Sequence, residues 1–180
     1  MMNPSPPPPI VPTPAVELAD RLRGRRVIVG VPGVGFRDGL RADDVVVRDG
    51  RTYVPVLTEQ DYYRVEIEEI EAIAPLVPID RVWVELATEH PRRQSLGALD
   101  APPVIEPTPV LGAPVLVGRR VVQAVPDGFV RDLRAVSQVY VAGGDRSVIR
   151  ICAEHEWYRW GMAGTPPETT EVLAGHLWLE

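Results

Sequence analysis

The sequence contains no lysine and a single cysteine, Cys152, and both scarcities exclude classes of function. One thiol permits no intrachain disulfide and no cysteine-rich metal site, which favours a reducing, cytoplasmic setting. All 19 basic residues are arginine against 25 acidic ones, for a net charge of −6. An acidic whole argues against general nucleic-acid binding, which normally shows a basic face. The arginine-only usage reads as codon bias more readily than as selection for bidentate carboxylate pairing. No apolar run approaches the eighteen or so residues of a membrane-spanning helix, so no membrane partner is expected. The first residues lack the basic and apolar regions of a secretory signal. What the chain has in excess is proline (20) and glycine (15), a composition of short elements and many turns.

The organising feature is an internal repeat. Gly24-Arg25-Arg26-Val27 returns as Gly118-Arg119-Arg120-Val121, and Val31-Pro32 returns as Val125-Pro126. Phe36 and Phe129, the only two phenylalanines, occupy matching places, as do Leu40-Arg41-Ala42 and Leu133-Arg134-Ala135. Glu59, Tyr63 and Arg64 match Glu154, Tyr158 and Arg159, and Val82-Trp83-Val84-Glu85 closes one copy as Leu177-Trp178-Leu179-Glu180 closes the other. Collinear identity with single-residue gaps marks a duplicated structural unit.

Each copy reads as β structure. Val27–Val31 and Val121–Val125 are β-branched runs stopped by proline. Asp49-Gly50 between Val45–Arg48 and Thr52–Leu57 is a strong hairpin signal, and Gly143-Gly144-Asp145 stands at the same turn. Pro55 within its strand predicts an edge or bulge. Thr58-Glu59-Gln60-Asp61 has the form of a helix capping box. Its counterpart Ala153-Glu154-His155-Glu156 lacks the hydroxyl, so a tight bend is expected, leading into strands at Tyr62–Ile67 and Trp157–Met162. Closing strands are predicted at Arg81–Leu86 and His176–Glu180. The expected fold is mainly β: a tandem duplication of a small five-stranded barrel or sandwich of SH3-like size, packed as a pseudo-dimer, with little helix. One mixed sheet threading both halves is the alternative.

The expected organisation is a disordered proline-rich leader over 1–14, a first module over 15–86, a proline-rich linker over 87–113 and a second module over 114–180. A two-turn helix at Val16–Leu22 is expected to precede the first repeat at 24–86; the second repeat spans 118–180. The leader's seven prolines suit a solvated polyproline II tail. In the linker, Val104-Ile105 and Val110-Leu111 are the residues suited to docking on a module.

No catalytic constellation of adequate specificity is present, and no cofactor is implied. Cys152-Ala153-Glu154-His155-Glu156 gathers sulfur, imidazole and carboxylates, but no second ligand pair accompanies it. The first copy replaces Cys152 by Leu57, which reads the thiol as a small buried apolar group and leaves no metal site. Glu59 with Arg64 and Glu154 with Arg159 are expected as structural ion pairs. Tyr62, Tyr63, Arg64, Trp157, Tyr158, Arg159 and Trp160 form the candidate binding set, since tryptophan and tyrosine beside arginine have hot-spot composition. The function expected is a non-enzymatic assembly or binding protein that contacts a protein partner, symmetric or repeating, or a second copy of itself. A small-molecule-binding protein or hydrolase with a site between the modules, using Glu59, Glu154 and His155, is the alternative. A third reading is an acidic inhibitor that mimics nucleic acid.

Overall fold

The computed structural model describes residues 3–90 and 93–180; leader positions 1 and 2 and linker positions 91 and 92 lie outside it. The chain divides into two compact units, Pro9–Ile105 and Glu106–Glu180, the second joined by residues 3–8. Among the described residues each unit holds one curled antiparallel sheet of seven strands, not the five expected, and no single sheet threads both halves. No helix among the described residues is long and apolar enough to cross a membrane.

In the first unit the strands are β1 (Ile10–Pro14), β2 (Arg26–Val31), β3 (Gly35–Ala42), β4 (Val46–Arg48), β5 (Arg51–Thr58), β6 (Leu76–Pro78) and β7 (Val82–Ala87), with helix α1 (Glu59–Glu68) after β5. In the second they are β8 (Thr108–Pro109), β9 (Arg120–Val125), β10 (Gly128–Ala135), β11 (Tyr140–Ala142), β12 (Arg146–Ala153), β13 (Thr170–Leu173) and β14 (Leu177–Leu179), with α2 (Glu154–Ala163) after β12. The ladders repeat residue for residue. Arg41 faces Leu57 where Arg134 faces Cys152, and Ile28 faces Trp83 where Val122 faces Trp178. Val54 faces Val77 where Ile149 faces Val172, and Pro14 faces Trp83 where Pro109 faces Trp178. Two sheets with one register set are what a duplicated module requires.

The strand signals translate directly. Asp49 and Gly50 both adopt positive φ (50° and 73°), the backbone of a tight hairpin, and Gly144 and Asp145 do the same (80° and 59°). Val27 to Gly30 are all buried because both faces of β2 are covered, so this strand reads as a continuous apolar run. Val27 and Val29 join Leu22, Val54, Val82 and Val84 in the inner core, whereas Ile28 lies opposite Trp83 on the other face. The second core is built alike from Val110, Leu116, Val121, Ile149 and Leu177. Pro55 marks the point where β5 changes partner, from β4 at residues 51–53 to β3 at residues 56–58.

The segments after β5 and β12 are helices, which corrects the bend and strands expected at Tyr62–Ile67 and Trp157–Met162. Thr58 Oγ1 accepts from the Asp61 amide at 3.1 Å, so Thr58 caps the helix in the first copy. Ala153 begins α2 without a side-chain cap, and the helix forms regardless. A missing cap costs about 1 kcal/mol, which the packing of the helix on its sheet outweighs. Gly164, left-handed at φ 70°, ends α2 before Pro166-Pro167. Thr58→Ala is therefore expected to lower the stability of the first unit by about 1 kcal/mol, and Ala153→Thr to raise that of the second by a similar amount. Urea midpoints moving in opposite directions at constant m would show it; unmoved midpoints would mean the caps carry no weight.

The leader and linker are more ordered than their proline content suggests. Residues 10–14, read from sequence as leader, form edge strand β1 against β7. Ile10 and Ile105 exchange hydrogen bonds of 2.9 Å in both directions. The Ile10 N–H thus points away from β7, and by the strand's alternation so do the donor positions that Pro12 and Pro14 lack. In the linker, Thr108-Pro109 is β8 and Val110 is fully buried in the second core, while Leu111 is exposed. The repeat therefore starts earlier than Gly24: Pro7-Pro8-x-Ile10-x-Pro12-Thr13-Pro14 returns as Pro102-Pro103-x-Ile105-x-Pro107-Thr108-Pro109. The two-turn helix expected at Val16–Leu22 is a single 3-10 turn at Ala15–Leu18.

Candidate binding surface

The side chains singled out around each helix sort into three depths. Deepest is a polar network present in both copies. Glu59, at the start of α1, is held by Arg26 Nε at 3.3 Å and by Arg41, whose Nε and Nη2 both lie 3.2 Å from Oε1. Arg41 also donates to the Gly24 carbonyl at 2.7 Å and to the Tyr63 hydroxyl at 3.2 Å. In the second copy Arg134 lies 3.5 Å from Glu154 and donates to the Gly118 carbonyl (2.8 Å) and the Tyr158 hydroxyl (3.3 Å). Each arginine also faces its tyrosine ring, at 5.7 Å for Tyr63 and 5.6 Å for Tyr158.

This network corrects the expected pairing. Arg64 bonds Asp61 at 3.2 Å and Arg159 bonds Glu156 at 2.6 Å, each one turn away on its own helix. A residue at i+5 cannot reach back to the first helical position, whereas one at i+3 can. Glu59 and Glu154 face inward within their own units, occupied by arginine, and Tyr63 is buried beside Arg41. These groups bind the helix to its sheet.

At the middle depth, Tyr62 and Trp157 cover a glycine. A Cβ on Gly24 would lie 3.1 Å from the Tyr62 hydroxyl, and one on Gly118 would lie 3.1 Å from the Trp157 ring. Both glycines have positive φ (76° and 83°), so conformation and close approach select the same residue. Cys152, opposite Arg134 in the ladder, is buried. Its thiol is pushed up to about 11, by burial first and by Glu156 next, with Arg134 opposing. That is a protonated, inert thiol at neutral pH. His155 stands 3.9 Å from Glu156 and is half-buried. Among the described residues no group of three or more His, Cys, Asp or Glu is arranged to hold a metal ion.

Outermost, the copies diverge. In the first, a cleft of about 300 Å³ beside Tyr62 is bordered by Arg23, Asp43, Val65 and Glu66. Arg23 and Asp43 pair across it at 3.2 Å. The matching positions in the second copy are Val117, Val136, Trp160 and Gly161. Trp160 is 38% exposed and packs edge-to-face on Trp157 at 5.7 Å, and Val117, next to Gly118, is 45% exposed. Arg23, Asp43 and Glu66 of the first surface are thus replaced by apolar groups or by glycine in the second, while the deeper Arg41 is kept as Arg134. Val117 and Val136 were missed in the sequence; aligning the copies and asking where charge turns apolar would have found them. A search for known families, related proteins and solved structures finds no match to this chain, so the site rests on its own chemistry.

Proposed function

We propose that the chain is a non-enzymatic, cytoplasmic binding protein built from two modules of SH3-like size, and that the second module contacts a protein partner through Trp160, Trp157 and Val117. One observation carries this reading: an exposed apolar surface stands in the second copy where the first copy carries Arg23, Asp43 and Glu66. The shared backbone accepts either chemistry, so folding does not require the apolar one. Tryptophans in edge contact beside valine supply the rigid, desolvated anchor typical of interface hot spots. The carboxylates that an enzymatic reading would use, Glu59 and Glu154, are committed to arginines inside their own units.

A photo-crosslinking residue placed at Trp160 in the native cell is expected to capture one discrete protein adduct. The same residue placed at Val65, the matching position in the first module, serves as the internal control. With the partner in hand, Trp160→Ala is expected to weaken binding by about thirtyfold, a hot-spot loss of roughly 2 kcal/mol. Equal adduct patterns from positions 160 and 65 would overturn the assignment.

A further inference from the structure

We infer that the first module carries a second, separate site, for a small amphipathic monoanion. It is a cleft of about 290 Å³ between β3, β5 and the loop that follows α1. Its floor consists of core residues: Val29, Leu40 and Val56 are buried and belong to the inner core, and each also lines the cleft. Val77 and Pro75 form a wall. Apolar enclosure with few polar groups is the usual composition of a small-molecule site.

The polar groups select the charge of the ligand. Arg37, Thr58 and Asp61 line the cleft. Thr58 is occupied as the cap of α1, accepting from the Asp61 amide and donating to the Asp61 carboxylate at 2.9 Å. The other Asp61 oxygen accepts from Arg64. Among the described residues Arg37 has neither an ion pair nor a hydrogen bond, so the cleft presents one uncommitted cation beside an apolar floor. A guanidinium binds a carboxylate through two parallel hydrogen bonds.

The rim adds an independent observation. Ile73 borders the cleft and is 99% exposed, and Ile70 in the same loop is also exposed. The corresponding residues of the second copy are Glu168 and Thr165, so this loop has no structural need for isoleucine. The second copy changes the floor and the cation as well. The cross-strand pair Val29 and Arg37 becomes Gln123 and Val130 in the same register. Val29 of the floor, the free cation and the apolar rim thus occur together in one copy and are replaced together in the other, where the rest of the floor stays apolar as Leu133 and Ile151. An aliphatic body of roughly ten non-hydrogen atoms fits the volume. Its carboxylate end meets Arg37 and Ile73 covers its tail.

This site lies in the other module from the proposed protein contact, and its test is independent of that contact. Octanoate, octanol and octylammonium are titrated into the full chain, with binding read by calorimetry and located by amide shift changes. Octanoate is expected to saturate one site, moving Val29, Leu40, Val56 and Val77, and to bind at least about tenfold more tightly than octanol. Arg37→Gln is expected to remove that preference while leaving octanol affinity unchanged. Ile73→Asp, at a fully exposed position, is expected to weaken both ligands without altering the fold. Equal affinity for octanoate and octanol, tighter binding of octylammonium, shifts centred elsewhere, or no saturable binding of octanoate would each overturn the proposal.

Discussion

Glu59→Ala is expected to destabilise the first unit by about 3–5 kcal/mol, and Glu154→Ala the second by a similar amount. Neither effect comes from lost attraction alone. Removing Glu59 leaves Arg26 and Arg41 facing one another in a site where Arg41 is buried. Arg41 also donates to the Gly24 carbonyl and the Tyr63 hydroxyl, neither of which carries charge. A buried cation without a counter-charge bears most of its desolvation cost. The carboxylate also stands at the first position of α1, where the helix dipole favours negative charge. In the second unit Glu154 is 1% exposed, so water cannot stand in for the lost carboxylate. Peptide-resolved hydrogen exchange separates the two units, each variant losing protection in its own. The triple replacement Glu59→Leu, Arg26→Leu, Arg41→Met is expected to recover much of the loss, because an apolar set of similar volume has nothing to desolvate. A loss below about 1 kcal/mol in Glu59→Ala would show that these charges are already solvated.

Trp83→Ala is expected to cost about 3–5 kcal/mol and to release the linker from the first unit. Trp83 is fully buried on the face of the sheet opposite the inner core. Phe36 meets its ring edge-on at 5.8 Å. The linker adds to its surroundings. The indole N–H donates to the Gln94 carbonyl at 2.9 Å, and the Leu99 side chain shares with the Trp83 ring the space beside Gly30. Removing the indole opens a cavity and leaves the Gln94 carbonyl without its donor. Trypsin cleavage after Arg93, whose side chain donates to the carbonyls of Ala101 and Pro102, is expected to accelerate along with the loss of stability. Destabilisation without faster cleavage at residue 93 would show that the linker is held by contacts other than Trp83.

The two units were readable in the sequence wherever the signal was local. β-branched runs, the Asp49-Gly50 turn and the closing Trp83 and Trp178 strands each state their conformation within a few residues. The duplication was legible because side-chain identity survives wherever register must be kept. The helices were not legible, and the cause is specific. The inward positions of α1 are Glu59 and Tyr63, and those of α2 are Glu154 and Tyr158, four residues apart. That is helical spacing, but acid and phenol do not register as a hydrophobic stripe. β1 was hidden for a related reason, since proline demotes a strand unless its missing donors face an unpaired edge.

By itself, then, the amino-acid sequence determined that one β module is written twice, where its hairpins turn, and that Cys152 and Leu57 are equivalent. Only the tertiary structure decided which arginine each buried glutamate meets, that proline-rich segments become edge strands, and where an apolar surface and an unpaired cation are left facing solvent. The first set depends on backbone preferences that neighbouring residues impose. The second depends on partners tens of residues away, such as Arg26 for Glu59 and Ile105 for Ile10, which no local pattern specifies.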